Sequence, residues 1–218
     1  MKDGVNPPRR SRRYDASRRQ AAAAGTRREI VAAARRLFLE QGYIATSMPA
    51  IAAAAGVAVD TVYATVGPKP ALFRHLIEIA LSGADDPVPA LERDYVREIA
   101  AEPDPRRKLE RYARAVRAIQ ERMAPLFGVL RDASRVDPDL AALWEEISER
   151  RARNMRLFAA ELATAGGLRE GVSIEEAADV VWATNSPDFY LLLVEERGWE
   201  PERFEHWLAT SWIRLLLP

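Results

Sequence analysis

Residues 46–73 read TSMPAIAAAAGVAVDTVYATVGPKPALF, and this stretch decides the fold. Its first part suits a short helix, because Pro49 falls in the first turn, where proline is tolerated. Gly56 ends that helix, since glycine readily accepts the positive φ that a sharp turn requires. Residues 57–65 suit a second short helix, which Gly67-Pro68 terminates. The stretch therefore predicts two short helices joined by a tight turn, as in a helix-turn-helix.

Amphipathic helices flank this motif on both sides. Thr26 and Glu29 have the spacing of a capping box, and apolar side chains follow at helical intervals until Gly42. We therefore expect the first helix to begin near Thr26 and to end at Gly42. On the other side, a helix opens at Pro68 and continues to residue 82. The sequence thus predicts a three-helix unit and a fourth helix that links it to the rest of the chain.

The remainder of the chain keeps the helical period, and no segment shows the alternation typical of strands. We predict that Ser173 caps one of its helices and that Pro187 divides that helix. The other predicted helices cover residues 105–122, 125–136, 138–165 and 200–217. The predicted fold class is all-α: an N-terminal three-helix helix-turn-helix domain followed by a larger helical domain.

Composition narrows the possible functions. The 218 residues include no cysteine and only two histidines, which excludes disulfides, thiolate metal sites and cysteine nucleophiles. We find no candidate catalytic or metal-ligating set, and we predict neither an enzyme nor a cofactor. No apolar run reaches the roughly 18 residues that span a bilayer. We therefore expect a soluble, cytoplasmic protein without a membrane partner.

The formal net charge of zero conceals an uneven distribution. Residues 1–28 hold nine basic and two acidic side chains, whereas residues 81–218 are acidic overall. Such an asymmetry indicates a polyanionic partner for the basic end, or a solvated tail. We interpret residues 1–25 as a flexible basic arm whose arginines can follow a nucleic-acid backbone. A second basic run, residues 150–156, follows three glutamates on a predicted helix, so we interpret it as intrahelical pairing.

The opening stretch resembles the DNA-binding domain of the TetR family of bacterial transcriptional repressors. That family combines an I-A-x-x-A-G-V core with T-hydrophobic-Y in the recognition helix, followed by a Lys and then A-L-F. The matching elements here are Ile51, Ala52, Ala55, Gly56, Val57, Thr61-Val62-Tyr63, Lys69 and Ala71-Leu72-Phe73. The likeness covers residues 27–76. It implies a DNA-binding domain over residues 26–67, a linking helix over 68–82 and a ligand-binding and dimerisation domain over 83–218.

The resemblance also implies which residues contact double-stranded DNA. The recognition helix would enter the major groove, and its neighbours would contact phosphates. The residues so assigned are Thr46, Ser47, Val59, Asp60, Thr61, Tyr63, Ala64, Thr65 and Lys69. The sequence departs from the family pattern, because Ala58, Val59, Thr65, Val66 and Pro70 stand where Ser, Lys, His, Phe and Glu are frequent. Base readout would therefore depend on Thr61, Asp60 and the methyl groups of Val59.

For the C-terminal domain, the resemblance implies a cavity for a small-molecule effector among the middle helices. Polar groups inside an aromatic-rich bundle need partners, so Arg131 and Asn185 are of particular interest. The candidate lining residues are Tyr112, Val116, Phe127, Arg131, Trp144, Met155, Phe158, Trp182, Asn185 and Tyr190.

The last helix carries apolar side chains on more than one stripe, which indicates burial on two sides. In the TetR family the last two helices of each subunit form a four-helix bundle across a two-fold axis, so the resemblance implies a homodimer. The interface residues would be Phe204, Trp207, Leu208, Trp212 and Leu215. The alternative is that both sides are buried within one chain, against the helices of Trp144 and Trp182.

Together these features predict a homodimeric, ligand-responsive repressor that binds a pseudo-palindromic operator. An effector would favour a different spacing of the two DNA-binding domains and release the DNA, with the linking helix as the connection. Two other functions stay open. One is an activator, or a regulator gated by a protein partner, which a filled C-terminal core would favour. The other is a helical-bundle enzyme whose helix-turn-helix pattern is accidental.

Overall fold

The first four helices follow one another in the predicted order. The computed structural model describes residues 10–84 and 86–218. Its first helices, joined by tight turns, are α1 (Arg10–Ala45), α2 (Met48–Ala55), α3 (Val59–Val66) and α4 (Lys69–Ser82). Gly42, with φ 78° and ψ 167°, interrupts the helical geometry of α1 at the point where we expected that helix to end.

The first helix begins earlier than predicted. Because α1 starts at Arg10, Thr26 and Glu29 lie inside the helix and do not form an N-terminal capping box. The arm that we expected to be flexible, residues 1–25, is thus helical from Arg10 onward, and its first nine residues lie outside the described part of the chain. The reason is local: residues 21–24 are all alanine, the best helix former, and one following glycine costs only about 1 kcal/mol.

The remaining elements are helical as well. They are a 3-10 turn (Ala90–Glu92), α5 (Asp94–Ala101), α6 (Pro105–Ala133), α7 (Pro138–Thr164), α8 (Ile174–Thr184), α9 (Pro187–Tyr190) with a π-helical continuation (Leu191–Glu196), and α10 (Pro201–Leu216). No strand occurs in residues 10–84 or 86–218, and the predicted all-α class is confirmed. Ser173 caps α8, accepting from the Glu176 amide at 3.0 Å, and Pro187 opens α9, both as predicted.

α6 is one continuous helix where we predicted two. Pro125 lies inside it and removes one intrahelical N–H donor. The residues on either side, Met123 and Ala124 before it and Leu126 and Phe127 after it, are all buried. Packing on both sides of the proline therefore overrides the missing hydrogen bond.

The described part of the chain forms two hydrophobic cores, and α6 and α7 contribute to both. The first core joins α1–α4 to the second half of α6 and the first half of α7; its members include Ile30, Phe38, Ile51, Val62, Phe73, Met123, Leu130 and Leu143. The second core joins α5 and α8–α10 to the other halves of α6 and α7; its members include Leu109, Ala113, Phe158, Val181, Phe204 and Trp212. The helix-turn-helix thus shares a core with the long helices that follow it.

None of the described helices is by itself long and apolar enough to cross a membrane. α2 and α3 reach the necessary length and composition only when they are taken together, and the pair is bent by 100°.

Candidate nucleic-acid interface and ligand cavity

The turn between α2 and α3 fixes the geometry of the helix-turn-helix. Gly56 has φ 67° and ψ 31°, the left-handed conformation that the sequence predicts there. α2 and α3 are bent by 100° relative to each other, within the range typical of helix-turn-helix motifs. Ile51 of α2 and Val62 of α3 are fully buried in the first core. Their burial determines which face of α3 remains outside.

The outer face of α3 is open to solvent. Asp60, Tyr63 and Ala64 are exposed, and Tyr63 keeps 49% of its surface accessible. Thr61 and Thr65 are partly buried beside them. A single α-helix with such an exposed face has the width that the major groove of DNA admits.

Thr46 is a structural residue, and its assignment to the DNA interface was wrong. It is only 1% exposed, and its hydroxyl lies 2.8 Å from the carbonyl oxygen of Gly42 and 3.2 Å from that of Leu37. The hydroxyl therefore holds the end of α1 and does not reach solvent. Its neighbour Ser47 is exposed and caps α2, because its Oγ accepts a hydrogen bond from the Ala50 amide at 3.2 Å.

Lys69 is the first residue of α4 and directly follows the Gly67-Pro68 turn after α3. Its Nζ lies 4.1 Å from the centre of the Tyr43 ring, a cation–π contact. Partial burial lowers the pKa of Lys69, and the negative charge of Asp137 opposes that shift. Tyr43 is itself buried, with its ring centre 5.5 Å from that of Phe38 and 5.4 Å from that of Phe73. The lysine is thus held at a defined place next to α3.

Two residues relate to α3 in ways that the sequence did not suggest. Val59 packs partly against the first core, so its methyl groups are less available to DNA bases than we expected. Arg27 of α1 donates from Nη1 to the carbonyl oxygen of Thr65 at 3.4 Å and connects α1 with the end of α3. We missed Arg27 because we placed it in the first turn of a helix that in fact begins earlier.

Two adjacent cavities lie between α5, α6 and α7. The outer cavity, of about 190 Å³, is lined mainly by apolar side chains and includes the exposed Leu91 and Leu157. The inner cavity, of about 100 Å³, reaches Arg151 on α7 and Asn185 at the end of α8. The residues that line both cavities are Arg93, Tyr95, Tyr112, Asn154 and Met155.

Half of the predicted effector residues line these cavities. They are Tyr112, Val116, Met155, Phe158 and Asn185. Tyr95 of α5 was missed, because we assigned no function to the short helix that carries it. In the sequence, only its aromatic side chain and its position after a proline-rich loop could have indicated that Tyr95 lines a cavity.

The other predicted effector residues are not among the lining residues of either cavity. Phe127 and Trp144 pack on each other near the first core, with ring centres 4.6 Å apart, and Tyr190 packs on Phe204 at 5.1 Å. Arg131 pairs with Asp188, Nη1 to Oδ1 at 2.5 Å, and both side chains are partly exposed. The fifth, Trp182, lies behind Arg151, with its ring centre 5.1 Å from the guanidinium carbon. Helical periodicity identified buried faces, but it could not distinguish a packed face from one beside a void.

A hydrogen-bond network surrounds the inner cavity. Arg151 donates from Nη2 to the carbonyl oxygen of Trp182 at 2.7 Å and to Oδ1 of Asn185 at 2.6 Å. Asn185 Nδ2 in turn donates to the Tyr112 hydroxyl at 2.8 Å. That hydroxyl donates to Sδ of Met155 at 3.2 Å. The end of α8 is thereby joined to α6 and α7 through side chains at the cavity wall.

Burial shifts the protonation equilibria of this network. It lowers the pKa of Arg151 and raises that of Tyr112, because in each case the charged form loses hydration. Gln120 donates to the backbone oxygen of Asn185 at 2.6 Å, and its own Oε1 is buried without a hydrogen-bond partner among the described residues. We missed Arg151 and Gln120, since the basic run that contains Arg151 was interpreted as intrahelical pairing.

The N-terminal part of the chain matches a known protein family. Residues 30–76 fit the family model described as bacterial regulatory proteins, tetR family. This segment belongs to the TetR family. The chain is a DNA-binding regulator of the helix-turn-helix type. No curated protein sequence is detectably similar to the chain.

Solved structures share the fold of the chain over most of its length. One is NalD, the secondary repressor of the MexAB-OprM multidrug efflux pump in Pseudomonas aeruginosa, with 25% identity, coverage of 88% of this chain and 97% of that one, and a TM-score of 0.68. The SmeT–triclosan complex has 18% identity, coverage of 89% and 92%, and a TM-score of 0.69. PfmR, a TetR-family regulator from Thermus thermophilus, has 22% identity, coverage of 84% and 91%, and a TM-score of 0.59.

Ion pairs join α4 to the C-terminal helices. Arg74 pairs with Glu146 of α7 at 2.7 Å. One turn further along α4, Glu78 pairs with Arg150 of α7 at 2.7 Å and with Arg93 at 3.6 Å. The helix that follows the DNA-binding unit therefore contacts the wall of both cavities through Arg93.

Three of the five predicted interface residues are core residues of a single chain. Phe204, Leu208 and Trp212 are fully buried in the second core, and Trp212 Nε1 donates to the Thr184 hydroxyl at 2.8 Å. For these three the prediction was wrong, because α6 of the same chain covers the stripe that we assigned to a partner. The alternative of burial within one chain holds for that stripe, but the helix that mainly covers it is α6 and not the helix of Trp144 or Trp182.

The other two interface residues lie on a different face of α10. Trp207 is partly buried, with its ring centre 5.4 Å from that of Phe189, and Leu215 is 52% exposed. Ser211 lies midway between them, four residues from each, so the three side chains form one outward stripe. Leu192, at the π-helical continuation of α9, is also exposed, at 46%.

Proposed function

We propose that this TetR-family chain is a homodimeric transcriptional repressor that a small molecule releases from its operator. The observation that carries the proposal is the shared first core: the same side chains that position α3 also pack against α6 and α7. Those two helices form the walls of the outer and inner cavities. A ligand that alters the packing of α6 and α7 therefore acts on the position of α3.

Contacts with DNA would divide between bases and phosphates. Thr61 and Asp60, on the outer face of α3, are the candidates for base edges, since Thr contacts several bases and Asp accepts from cytosine. The candidates for phosphate contacts are Tyr63 on α3 and its neighbours Lys69 and Ser47, because all three carry hydrogen-bond donors. Ala64 and Thr65 complete the proposed face, and Val59 contributes only at its edge.

α4 is the proposed connection between ligand and DNA. Glu78 joins it to Arg150 and Arg93, and Arg122 of α6 donates to the carbonyl oxygen of Ala80 at 2.9 Å. A ligand that favours one arrangement of α5–α7 would shift the equilibrium between two positions of α4. In a dimer, that shift changes the distance between the two copies of α3.

A two-fold operator requires a two-fold protein. The proposed dimer contact is the stripe of Trp207 and Leu215 on α10, with the exposed Leu192 beside it. Similar structures support the repressor and ligand parts of the proposal: NalD is a repressor by its description, and SmeT is solved with triclosan.

The experiment selects binding sites for the purified protein from random DNA and places the selected site upstream of a reporter gene. We expect a pseudo-palindrome whose half-sites lie about one helical turn apart, roughly 34–36 Å. Expression of the protein should lower reporter output, whereas a variant with Thr61→Ala and Tyr63→Phe should lower it much less. Selection of no site, or a rise in reporter output when the protein is present, would contradict the repressor.

A further inference from the structure

We infer that the inner cavity recognises an organic carboxylate, so that the effector is a small anion with an apolar body. This inference rests on the proposed function, because it specifies the ligand of the same cavity. The groups that carry it are the guanidinium of Arg151, the hydroxyl of Tyr112 and the apolar lining of the outer cavity.

Arg151 brings a positive charge into the protein with no carboxylate at ion-pair distance among the described residues, and Asp188 acts on its charge only from further away. Its hydrogen bonds go to two neutral oxygens, those of Trp182 and Asn185, and both leave from Nη2. No ion pair to Arg151 occurs within residues 10–84 and 86–218, and neither Nη1 nor Nε has a hydrogen-bond acceptor there. Burial of a charge is costly unless it is paired. A carboxylate on these free N–H groups would provide the missing partner.

The carboxylates of the neighbourhood already have other partners. Glu78 is shared by Arg93 and Arg150, at 3.6 and 2.7 Å. Glu161, which lines the outer cavity, pairs with the buried Lys108 at 3.0 Å. The third, Asp188, pairs with Arg131 at the surface, and its charge favours the protonated form of Arg151 without a close ion pair between them. Each of the three carboxylates thus has an ion-pair partner other than Arg151.

Tyr112 offers a second donor to the same space. Its hydroxyl accepts from Asn185 Nδ2 at 2.8 Å, so its own proton is the one given to the Met155 sulfur at 3.2 Å. A thioether sulfur is a weak acceptor. A carboxylate oxygen is a far stronger one, and the Tyr112 hydroxyl would turn toward it. The aromatic ring already lies in the wall of both cavities, so the turn requires only rotation of the O–H bond.

The outer cavity supplies the surface for the apolar part of the ligand. Val96 and Ile99 of α5 and Phe158 of α7 line it, and Leu91 and Leu157 add apolar surface that is exposed to solvent. Apolar side chains with a few directed polar groups are the usual composition of a small-molecule site. The arrangement thus orients an amphipathic ligand, with its charge inward at Arg151 and its body outward.

The test compares matched probes that differ only in charge. Benzoate, phenylacetate and 3-phenylpropanoate are each measured beside the corresponding neutral amide and the corresponding amine, by calorimetry and by quenching of tryptophan fluorescence. We expect at least one carboxylate to bind tenfold or more tightly than its amide, since a hydrogen bond between two charged groups is stronger than one to a neutral group. The amines should bind more weakly than either.

Variants locate the preference. Arg151→Met should reduce the ratio of carboxylate to amide affinity to near one, and Arg151→Lys should retain part of it. Arg153→Met is the matched control, because Arg153 lies on the same helix, is exposed and pairs only with Glu149 at 3.6 Å. It should leave the ratio unchanged. Circular dichroism and thermal melting of each variant check that it is folded. If Arg151→Met does not fold, the affinity ratio is measured on Arg151→Lys instead.

Three outcomes would overturn the inference: equal binding of acid and amide, an unchanged ratio in both Arg151 variants, or no carboxylate binding at millimolar concentration in any pair. DNA release is measured separately, by adding the tightest carboxylate to the protein–operator complex. Carboxylate binding without release would refute the effector role and leave the anion site standing. Release by neutral probes alone would refute the anion site and leave the proposed function standing.

Discussion

At the scale of single residues, the Lys69 side chain contacts an aromatic ring and also lies close to the proposed DNA-binding helix. Its ammonium group contacts the face of Tyr43, which restrains it, while its position at the start of α4 brings it close to α3. A cation–π contact does not neutralise the charge, so the lysine can still attract a phosphate. The aromatic cluster beneath it acts as a support that limits where the charge can be.

Lys69→Ala should weaken binding to operator and to unrelated DNA by similar factors, because a phosphate contact carries no sequence information. The slope of log affinity against log salt should become shallower by about 0.9, the value for one phosphate. The measurement is fluorescence anisotropy at several salt concentrations. Arg153→Ala, a surface change on α7, is the control and should leave the slope unaltered. An unchanged slope in Lys69→Ala would mean that the charge serves only Tyr43.

Thr46 and Ser47 test whether neighbouring hydroxyls have separate roles. Thr46→Val should lower the free energy of unfolding by about 1–2 kcal/mol, since it removes the hydrogen bonds to the Leu37 and Gly42 carbonyls. The affinity of Thr46→Val for DNA should stay as it is. Ser47→Ala should also destabilise, by about 0.5–2 kcal/mol through loss of the cap on α2, and it should weaken DNA binding as well. Urea unfolding and anisotropy measure both; a folded Thr46→Val that loses as much DNA affinity as Ser47→Ala would restore Thr46 to the interface.

At the scale of elements, α4 is held by ion pairs of two kinds. The Arg74–Glu146 pair is nearly half exposed on both sides, whereas Glu78 and Arg93 are only 20% and 11% exposed. Exposed pairs contribute little to stability because water and salt screen them. The Glu78 contacts are less screened, so they determine how firmly α4 follows α7.

Glu78→Gln should lower the free energy of unfolding by about 1.5–3 kcal/mol, because it removes the charge that Arg93 and Arg150 share. Arg74→Gln is the matched control and should change it by less than about 0.5 kcal/mol. Glu78→Gln should also raise the ligand concentration needed to release DNA, while affinity for DNA without ligand changes little. Equal effects of the two substitutions on stability would show that burial does not distinguish the pairs.

Element boundaries divide into those that local sequence predicts and those that packing decides. Gly42, Gly56 and the Ser173 cap act on their own few residues, and their effects were predictable. Pro125 is also a local signal, but buried neighbours on both sides keep α6 continuous. Thr46 and Ser47 are equivalent caps by residue type, and only the packing of α1 against α2 buries one and exposes the other.

At the scale of the whole molecule, α10 shows why a surface cannot be assigned from periodicity alone. The pattern correctly indicated two apolar stripes, yet the stripe of Phe204, Leu208 and Trp212 is covered by α6 of the same chain. The environment of Arg151 likewise depends on packing between distant segments, since its partner Asn185 lies 34 residues further along the chain. Contacts of this kind depend on how distant helices meet, which a single sequence does not specify.

Assembly provides the prediction at this scale. Leu215→Arg should give a folded monomer at micromolar concentration, because the side chain is exposed in one chain and would meet its copy across the proposed interface. Leu208→Arg should unfold the protein, since it places a charge in the second core. Sedimentation velocity and circular dichroism separate the two results. A wild type that is monomeric and still binds its operator tightly would remove the dimer from the proposal.

Arg150 and Arg151 are consecutive residues of α7 that both line the inner cavity but direct their hydrogen bonds to different partners. Arg150 holds α4 through Glu78, while Arg151 faces Asn185 at the inner cavity. Successive side chains on a helix point about 100° apart, since 3.6 residues complete a turn. In the proposed mechanism, natural selection could therefore exchange the residue at position 151 and give descendants a new inducer, while position 150 would preserve the response. The same division of contacts would make the chain a practical starting point for a biosensor, in which ligand choice is redesigned and gene control is inherited unchanged.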